Sequence, residues 1–313
     1  MNDTLISVKN LSRRFENTQA VANLDLNVPQ GSIFGLLGTN GAGKTTLIRM
    51  LMGHLYPDSG TIEVLGQNPR NHDAKTLQKV AYVSDRMELP WRMCLKEAIE
   101  LNRQFFPRWN SELAKQLTAE FDINLTARFS HLSLGQKRRA ILLQAVCQNA
   151  DLLILDEPLS GLDAVFRRQS LDMLLAAAAD HNQTVFISSH LLHDVERIVD
   201  RIAMMRQGTV FHSSDLESLK DRMRRVRVSA EIDSKQRDAF SDMRILGQHT
   251  VGGETNLIVD RYTDDMRPAL TEAFGDNVRI EHMNLEDIFV ELSMVEGTVP
   301  ADQPTKTTIG ASA

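Results

Sequence analysis

Gly38-Thr39-Asn40-Gly41-Ala42-Gly43-Lys44-Thr45 fits the pattern G-x-x-x-x-G-K-[ST]. Its glycines permit a loop whose backbone N–H groups turn inward onto phosphate oxygens. Lys44 adds a point charge at the β/γ-phosphates, and the Thr45 hydroxyl offers an oxygen to Mg²⁺. The flanks agree with this reading. Ile33 to Leu37 is a short apolar run of strand type, and a helical pattern follows from Lys44 to about His54, which sets the positive end of a helix at the anion. The bland alternative, a glycine-rich turn with no ligand, explains neither flank.

Such a loop needs a carboxylate from a neighbouring strand, and Leu152-Leu153-Ile154-Leu155-Asp156-Glu157 supplies it. Four apolar residues in a row read as a parallel strand covered on both faces. Asp156 then emerges at the strand's end beside Mg²⁺, directly or through water. Glu157 follows at once and points the other way, toward the place of an attacking water, which makes it the candidate general base. Taken alone this is an acidic strand end that caps a helix; paired with the loop, it is a phosphate site.

Outward from these two stretches the chain alternates in type. Leu24, Leu26 and Val28 alternate with Asp25, Asn27 and Pro29, the period of a half-buried strand. Pro57 to Gly60 has turn chemistry, and Thr61 to Leu65 reads as a strand. Between Pro90 and about residue 127 the apolar residues recur at helical spacing, which predicts a helical insert. Trp91, Phe105, Phe106 and Trp109 fall in or beside it, either as its small core or, for some of them, as a groove for a partner helix. Leu171 to Ala179 is helical, and Val185–Ile187, Ile202–Met205 and Thr209–Phe211 are strands. From about 225 a second unit begins: a strand through Val226, Val228 and Ala230, a helix over Ser234–Asp242, a hairpin turning at Gly252-Gly253, a helix over Asp264–Phe274 and a strand over Val278–Met283. The order β-α-β-β-α-β predicts a ferredoxin-like sandwich. The basic run Arg222, Arg224, Arg225 and Arg227 reads as a solvated helix face.

Composition sets outer bounds. The chain has 313 residues, 42% hydrophobic and 24% charged, enough to bury a core. A net charge of −6 argues against a protein that lives on nucleic acid. No apolar run approaches the roughly 18–20 residues of a membrane span, and no secretory leader is visible. The two cysteines, Cys94 and Cys147, lack metal-ligand spacing and read as small buried hydrophobes.

With these motifs placed, residues 4 to 215 resemble the ATP-binding subunits of ABC transporters, in the family's own order. Gly38 to Thr46, including Thr39, Asn40, Gly41, Ala42, Gly43, Lys44 and Thr45, looks like the phosphate loop. Leu132-Ser133-Leu134-Gly135-Gln136 looks like the signature motif, Leu152 to Pro158 like the Walker B segment, and Ser160-Gly161-Leu162-Asp163 like the D-loop. His190 stands at the switch histidine and Phe15 at the adenine-stacking aromatic. Read singly, Phe15 is a core aromatic, Leu132 to Gln136 a helix cap and His190 a polar residue after a strand; the ordered set gives each its family role. Two positions depart from the pattern: Leu134 replaces a glycine, and Asp85, which ends Tyr82-Val83-Ser84-Asp85, replaces a glutamine. Asp85 still reaches Mg²⁺ or water but donates no hydrogen bond. Leu285 to Leu292 looks like the closing segment of ABC-2 type exporters.

The resemblance implies an α/β P-loop ATPase of ABC type: a parallel-sheet core, an N-terminal antiparallel β subdomain and a helical insert over about 86–148, all within 1–219. A small α+β domain for dimerisation or regulation follows over 220–295, then a disordered tail over 296–313. It implies ATP and Mg²⁺ as cofactors, with Thr45, Asp156 and Asp85 toward the metal and Glu157, His190 and Lys44 in catalysis. It also implies a second ATP-binding subunit as partner, whose Ser133, Gly135 and Gln136 close on the opposite γ-phosphate, with Asp163 at the shared interface. The remaining partner is an integral membrane permease that holds the chain on the inner face of the cell membrane and carries the exported cargo; no nucleic acid is expected. The rival reading is a soluble ABC ATPase that switches outside transport. Such proteins carry long coiled-coil insertions or two cassettes, and neither is present here. A GTPase would carry an Asn-Lys-x-Asp motif, and the sequence has none.

Overall fold

A computed structural model of the chain describes residues 4–295, apart from 86, 88, 89, 182, 230, 231, 234 and 235. The expectations for Ala230, Ser234 and the 296–313 tail fall outside the described residues. The chain divides into two units, Met1–Val210 and Phe211–Ala313. The helix Leu216–Arg222, capped by Asp215 accepting from the Ser218 N–H at 2.9 Å, runs across the boundary expected at 219.

In the first unit, Ile33–Leu37, Leu152–Asp156 and Thr184–Ser189 are buried at every residue. That is what a parallel sheet covered on both faces requires. They lie in a six-stranded sheet ordered Val80–Val83, Leu152–Asp156, Thr184–Ser189, Ile33–Leu37, Arg201–Arg206, Thr209–Asp215. Ile33–Leu37 is therefore central, and the loop that leaves it emerges among the carboxyl ends of its parallel neighbours. Open α/β sheets bind ligands at that end. A second sheet is antiparallel, with Thr4–Phe15 between Thr18–Pro29 and Ser59–Val64. Its inward residues Val8, Leu11, Leu24 and Leu26 share one core with Phe34, Leu36, Leu47 and Phe186.

Helices Leu95–Phe105, Ser111–Glu120 and Leu134–Cys147 form the insert. Leu95, Ala98, Leu113, Leu117, Phe121 and Phe129 are all buried and fill its interior. The larger aromatics stand outside it: Trp91 is 64% and Phe105 60% exposed, while Phe106 and Trp109 are half-buried. The core reading of Trp91 and Phe105 is thus wrong. Both cysteines are free. Burial pushes the Cys147 thiol up to about 12, so it stays protonated at neutral pH. Cys94 is only half-buried; it stands at the start of a helix, where its backbone N–H donates to Glu97 Oε2 at 2.8 Å.

The second unit is a four-stranded antiparallel sheet ordered Arg244–Val251, Glu254–Asp260, Arg224–Val228, Val278–His282. This is the ferredoxin-like strand order. Gly252 and Gly253 both take positive φ, 62° and 86°, as a two-residue hairpin turn demands. Val226, Val228, Leu257 and Val259 pack on Phe240, Leu270 and Phe274. One expected helix is shorter: Gln236–Phe240 forms only a 3₁₀ turn. The arginine run is not a helix face. Arg224, Arg225 and Arg227 lie on a strand, and the run is held by acids: Arg222 by Asp260 (3.1 Å), Arg225 by Asp287 (3.1 Å) and Arg227 by Glu281 (3.0 Å). Leu285–Met294 is a helix capped by Asn284, with Leu285, Ile288, Phe289 and Leu292 buried.

Candidate nucleotide site

The loop Gly38–Gly43 rises from the central strand and runs into the helix Lys44–Leu51. Gly43 sits at φ 107°, and a Cβ there would collide with the Ala20 carbonyl, so only glycine turns the chain into the helix at this point. The Lys44 side chain folds back over the loop. Its Nζ donates to the carbonyls of Gly38 (2.7 Å) and Thr39 (3.2 Å) and lies 3.0 Å from Glu157 Oε1. A cleft of about 290 Å³ opens here, lined by Asn40 through Thr46, Asp85, Glu157 and Thr18–Ala20.

Two carboxylates meet the loop from the end of Leu152–Asp156, which is not the adjacent strand: Thr184–Ser189 lies between it and Ile33–Leu37. The Thr45 hydroxyl donates to Asp156 Oδ1 at 3.2 Å, and the Ser188 hydroxyl donates to the same oxygen at 2.8 Å. Ser188 is registered beside both Leu36 and Asp156, so sheet geometry alone brings it there. Burial raises the Asp156 carboxyl above its ordinary value; the bonds from Ser188 and Thr45 oppose that shift, and the charges of Glu157 and Asp85 add to it. Glu157 takes φ 51°, a left-handed conformation costing a non-glycine residue about 1–2 kcal/mol. It is fixed there by its N–H donating to Ser188 Oγ at 3.0 Å and by Lys44 at 3.0 Å. His190 Nδ1 stands 2.7 Å from Glu157 Oε2. Lys44, Glu157 and His190 thus form a connected row, and the candidate base is held between a cation and an imidazole.

Other expected residues stand elsewhere. Phe15 ends the strand Thr4–Phe15, 42% exposed, with the Arg13 guanidinium 4.8 Å from its ring centre, so it is not a core aromatic. Ser133 caps the helix Leu134–Cys147 in a capping box: its Oγ accepts from the Gln136 N–H at 3.2 Å, and Gln136 Oε1 accepts from the Ser133 N–H at 2.9 Å. Asp163 Oδ1 accepts from the N–H groups of Val165 and Phe166, both at 3.0 Å, at the start of the helix Ala164–His181. Ser133, Gly135, Gln136 and Asp163 do not line the phosphate cleft. Three contributors were not singled out from the sequence: Thr18–Ala20, Ser188 and Arg138, whose Nη2 lies 2.9 Å from Asp85 Oδ1.

The ABC transporter family model matches residues 21–160. The bacitracin transport ATP-binding protein BcrA of Bacillus licheniformis is 30% identical over 224 residues, 71% of this chain and 73% of that one. The chain belongs to the ABC transporter family. The Nod factor export ATP-binding protein I of Burkholderia lata is 28% identical over 302 residues, covering 92% of this chain and 96% of its own. A solved ATP-binding subunit of an ABC transporter superposes with a TM-score of 0.64 at 21% identity, covering 93% of this chain and all of that one. The chain is an ATP-binding subunit of ABC type, and an ATP hydrolase.

Within this ABC cassette, Gly135 has a steric reason to be glycine. A Cβ there would stand 2.5 Å from Phe166 Cδ2 and 3.7 Å from Leu162 Cδ2. Gly135→Ala therefore overpacks the contact between the helices Leu134–Cys147 and Ala164–His181, at a cost of about 1–3 kcal/mol. A thermal melt of the variant should show the drop; an unchanged melting temperature would refute this packing. The oxygen donors at the cleft also suit Mg²⁺. No group of three or more acidic, histidine or cysteine side chains forms a metal cage among the described residues. Mg²⁺ ordinarily takes one or two carboxylates plus phosphates and waters, and Asp156 with the Thr45 hydroxyl fits that need.

Proposed function

We propose that two copies of this chain close around two ATP·Mg²⁺ and drive export through a separate membrane subunit. The observation that carries the reading is the row Lys44–Glu157–His190 beside Thr45–Asp156, all at the mouth of one phosphate loop. Lys44 turns its ammonium from Glu157 to the β/γ-phosphates. Glu157 accepts a proton from the attacking water, and His190 holds the carboxylate in place. Thr45, Asp156 and Asp85 would hold Mg²⁺, which neutralises charge on the phosphate oxygens when bound. Phe15 offers its exposed face to adenine, and Ser133, Gly135, Gln136 and Asp163 serve the nucleotide across the dimer interface. Their placement away from their own chain's cleft supports this.

No helix among the described residues is long and apolar enough to cross a membrane. In this reading a separate membrane subunit holds the chain at the inner face of the membrane. Export draws support from the Nod factor relative and from the closing helix Leu285–Met294. The second unit supports the dimer or regulates it, since the phosphate-facing residues all precede 191. A tagged chain purified from detergent extract should bring down a multi-span membrane protein. Recovery of ribosomes or a DNA-repair complex in its place would favour the soluble-switch alternative.

A further inference from the structure

Asp85 lines the cleft, just past the carboxyl end of the strand Val80–Val83. It stands where the family resemblance leads one to expect a neutral glutamine. Its carboxylate is not left bare. Arg138 Nη2 lies 2.9 Å from Asp85 Oδ1 and also donates to the Asp85 backbone carbonyl at 2.9 Å. The guanidinium thus grips both the side chain and the main chain of one residue. The Arg138 side chain is 15% exposed, against 46% for Asp85, so the cation is the better-shielded partner. Arg138 belongs to the helix Leu134–Cys147, the one that Ser133 caps. One ion pair therefore joins the wall of the nucleotide cleft to the helix whose first turn carries the signature residues.

The charges around the cleft give the pair a purpose. Lys44 is the cation that lines it, while Asp85 and Glu157 line it as anions and Asp156 stands behind Thr45. A polyphosphate entering this cleft would meet the carboxylates of Asp85 and Glu157 beside Lys44, and an unpaired Asp85 would repel the phosphate oxygens that Mg²⁺ does not cover. We propose that Arg138 is a positioning residue acting through Asp85: it neutralises that carboxylate for nucleotide entry and ties the orientation of the signature helix to what Asp85 contacts. The proposal rests on the reading of the cleft as an ATP·Mg²⁺ site.

The test is a double-mutant cycle on the full chain with Arg138→Gln, Asp85→Gln and their combination. Arg138→Lys serves as the variant that keeps the charge. Affinity for Mg²⁺·AMP-PNP is read by calorimetry, and hydrogen exchange of residues 134–147 is followed with and without the nucleotide. Arg138→Gln should weaken binding about three- to tenfold, the size expected for one unscreened charge several ångströms away. The same change made in the Asp85→Gln chain should alter affinity less than about twofold, because the coupled partner is gone. Arg138→Lys should recover most of the loss. Nucleotide should slow exchange at the start of the helix in the parent and less so in Arg138→Gln. Equal losses in both backgrounds, or no loss in either, would overturn the pair's role. A parent chain that fails to bind Mg²⁺·AMP-PNP would instead overturn the reading of the cleft.

Discussion

Lys44→Ala is expected to bind ATP about 100- to 1,000-fold more weakly than the parent chain, from the loss of about 3–4 kcal/mol of charge-assisted contacts. Lys44 is the cation at the loop, buried to 5% exposure, with Nζ already gathered by Gly38, Thr39 and Glu157. Its removal has a second consequence. The Glu157 carboxylate loses its cation and faces the incoming phosphates as a bare negative charge. Attraction is lost and repulsion exposed by one substitution, so the effect exceeds that of any single hydrogen bond. The fold should survive, since the helix Lys44–Leu51 is anchored by Leu47, Ile48, Met50 and Leu51, all buried. Calorimetry on the folded variant checks this; affinity near the parent's would remove the phosphate-loop assignment.

Glu157→Gln separates binding from chemistry. The amide keeps the shape of the side chain and loses the base, so turnover should fall about 100- to 10,000-fold. Binding should hold, because Lys44 is free to serve the phosphates and the repulsion between the carboxylate and the γ-phosphate is gone. His190 would then face an amide oxygen or nitrogen where it now meets a carboxylate 2.7 Å away. His190→Ala should slow turnover by less than Glu157→Gln does, since it removes the orienting group and leaves the base. A steady-state ATPase assay at saturating ATP checks both. Parent-like turnover of Glu157→Gln would place the base elsewhere.

The loop and the Walker B strand were legible because each is contiguous in sequence. Ile33 to Thr45 carries a strand, the loop and the first residues of the helix in one stretch, and Leu152 to Glu157 carries a strand with both carboxylates at its end, so Lys44, Thr45, Asp156 and Glu157 are legible from local sequence. Contacts made at long range were not legible. Arg138 and Asp85 lie 53 residues apart, and nothing in either local stretch foretells their meeting. Thr18–Ala20 reach the cleft because the strand Thr18–Pro29 turns back on Thr4–Phe15 directly after Phe15, pairing Phe15 with Thr18. Ser188, with no motif of its own, holds both Asp156 and the Glu157 backbone. The helix Ala164–His181 begins seven residues before the expected Leu171, since Asp163, taken only as a D-loop residue, also starts it. The arginine run carries two incompatible expectations, a strand through Val226 and Val228 and a helix face through the arginines; the alternation of valine and arginine is the one the structure keeps, with Arg224, Arg225 and Arg227 on the strand.

Sedimentation of Glu157→Gln with and without ATP and Mg²⁺ tests the central claim most directly. A slowly hydrolysing chain should shift from the 35.2 kDa monomer to a dimer of twice that mass when both are added, and return when Mg²⁺ is chelated. Gly135→Ala in the same background should bind ATP and stay monomeric, because its obstruction lies at the signature helix and not in its own cleft. A chain that binds ATP tightly with its fold intact, yet remains monomeric at every concentration of nucleotide and Mg²⁺, would contradict the account.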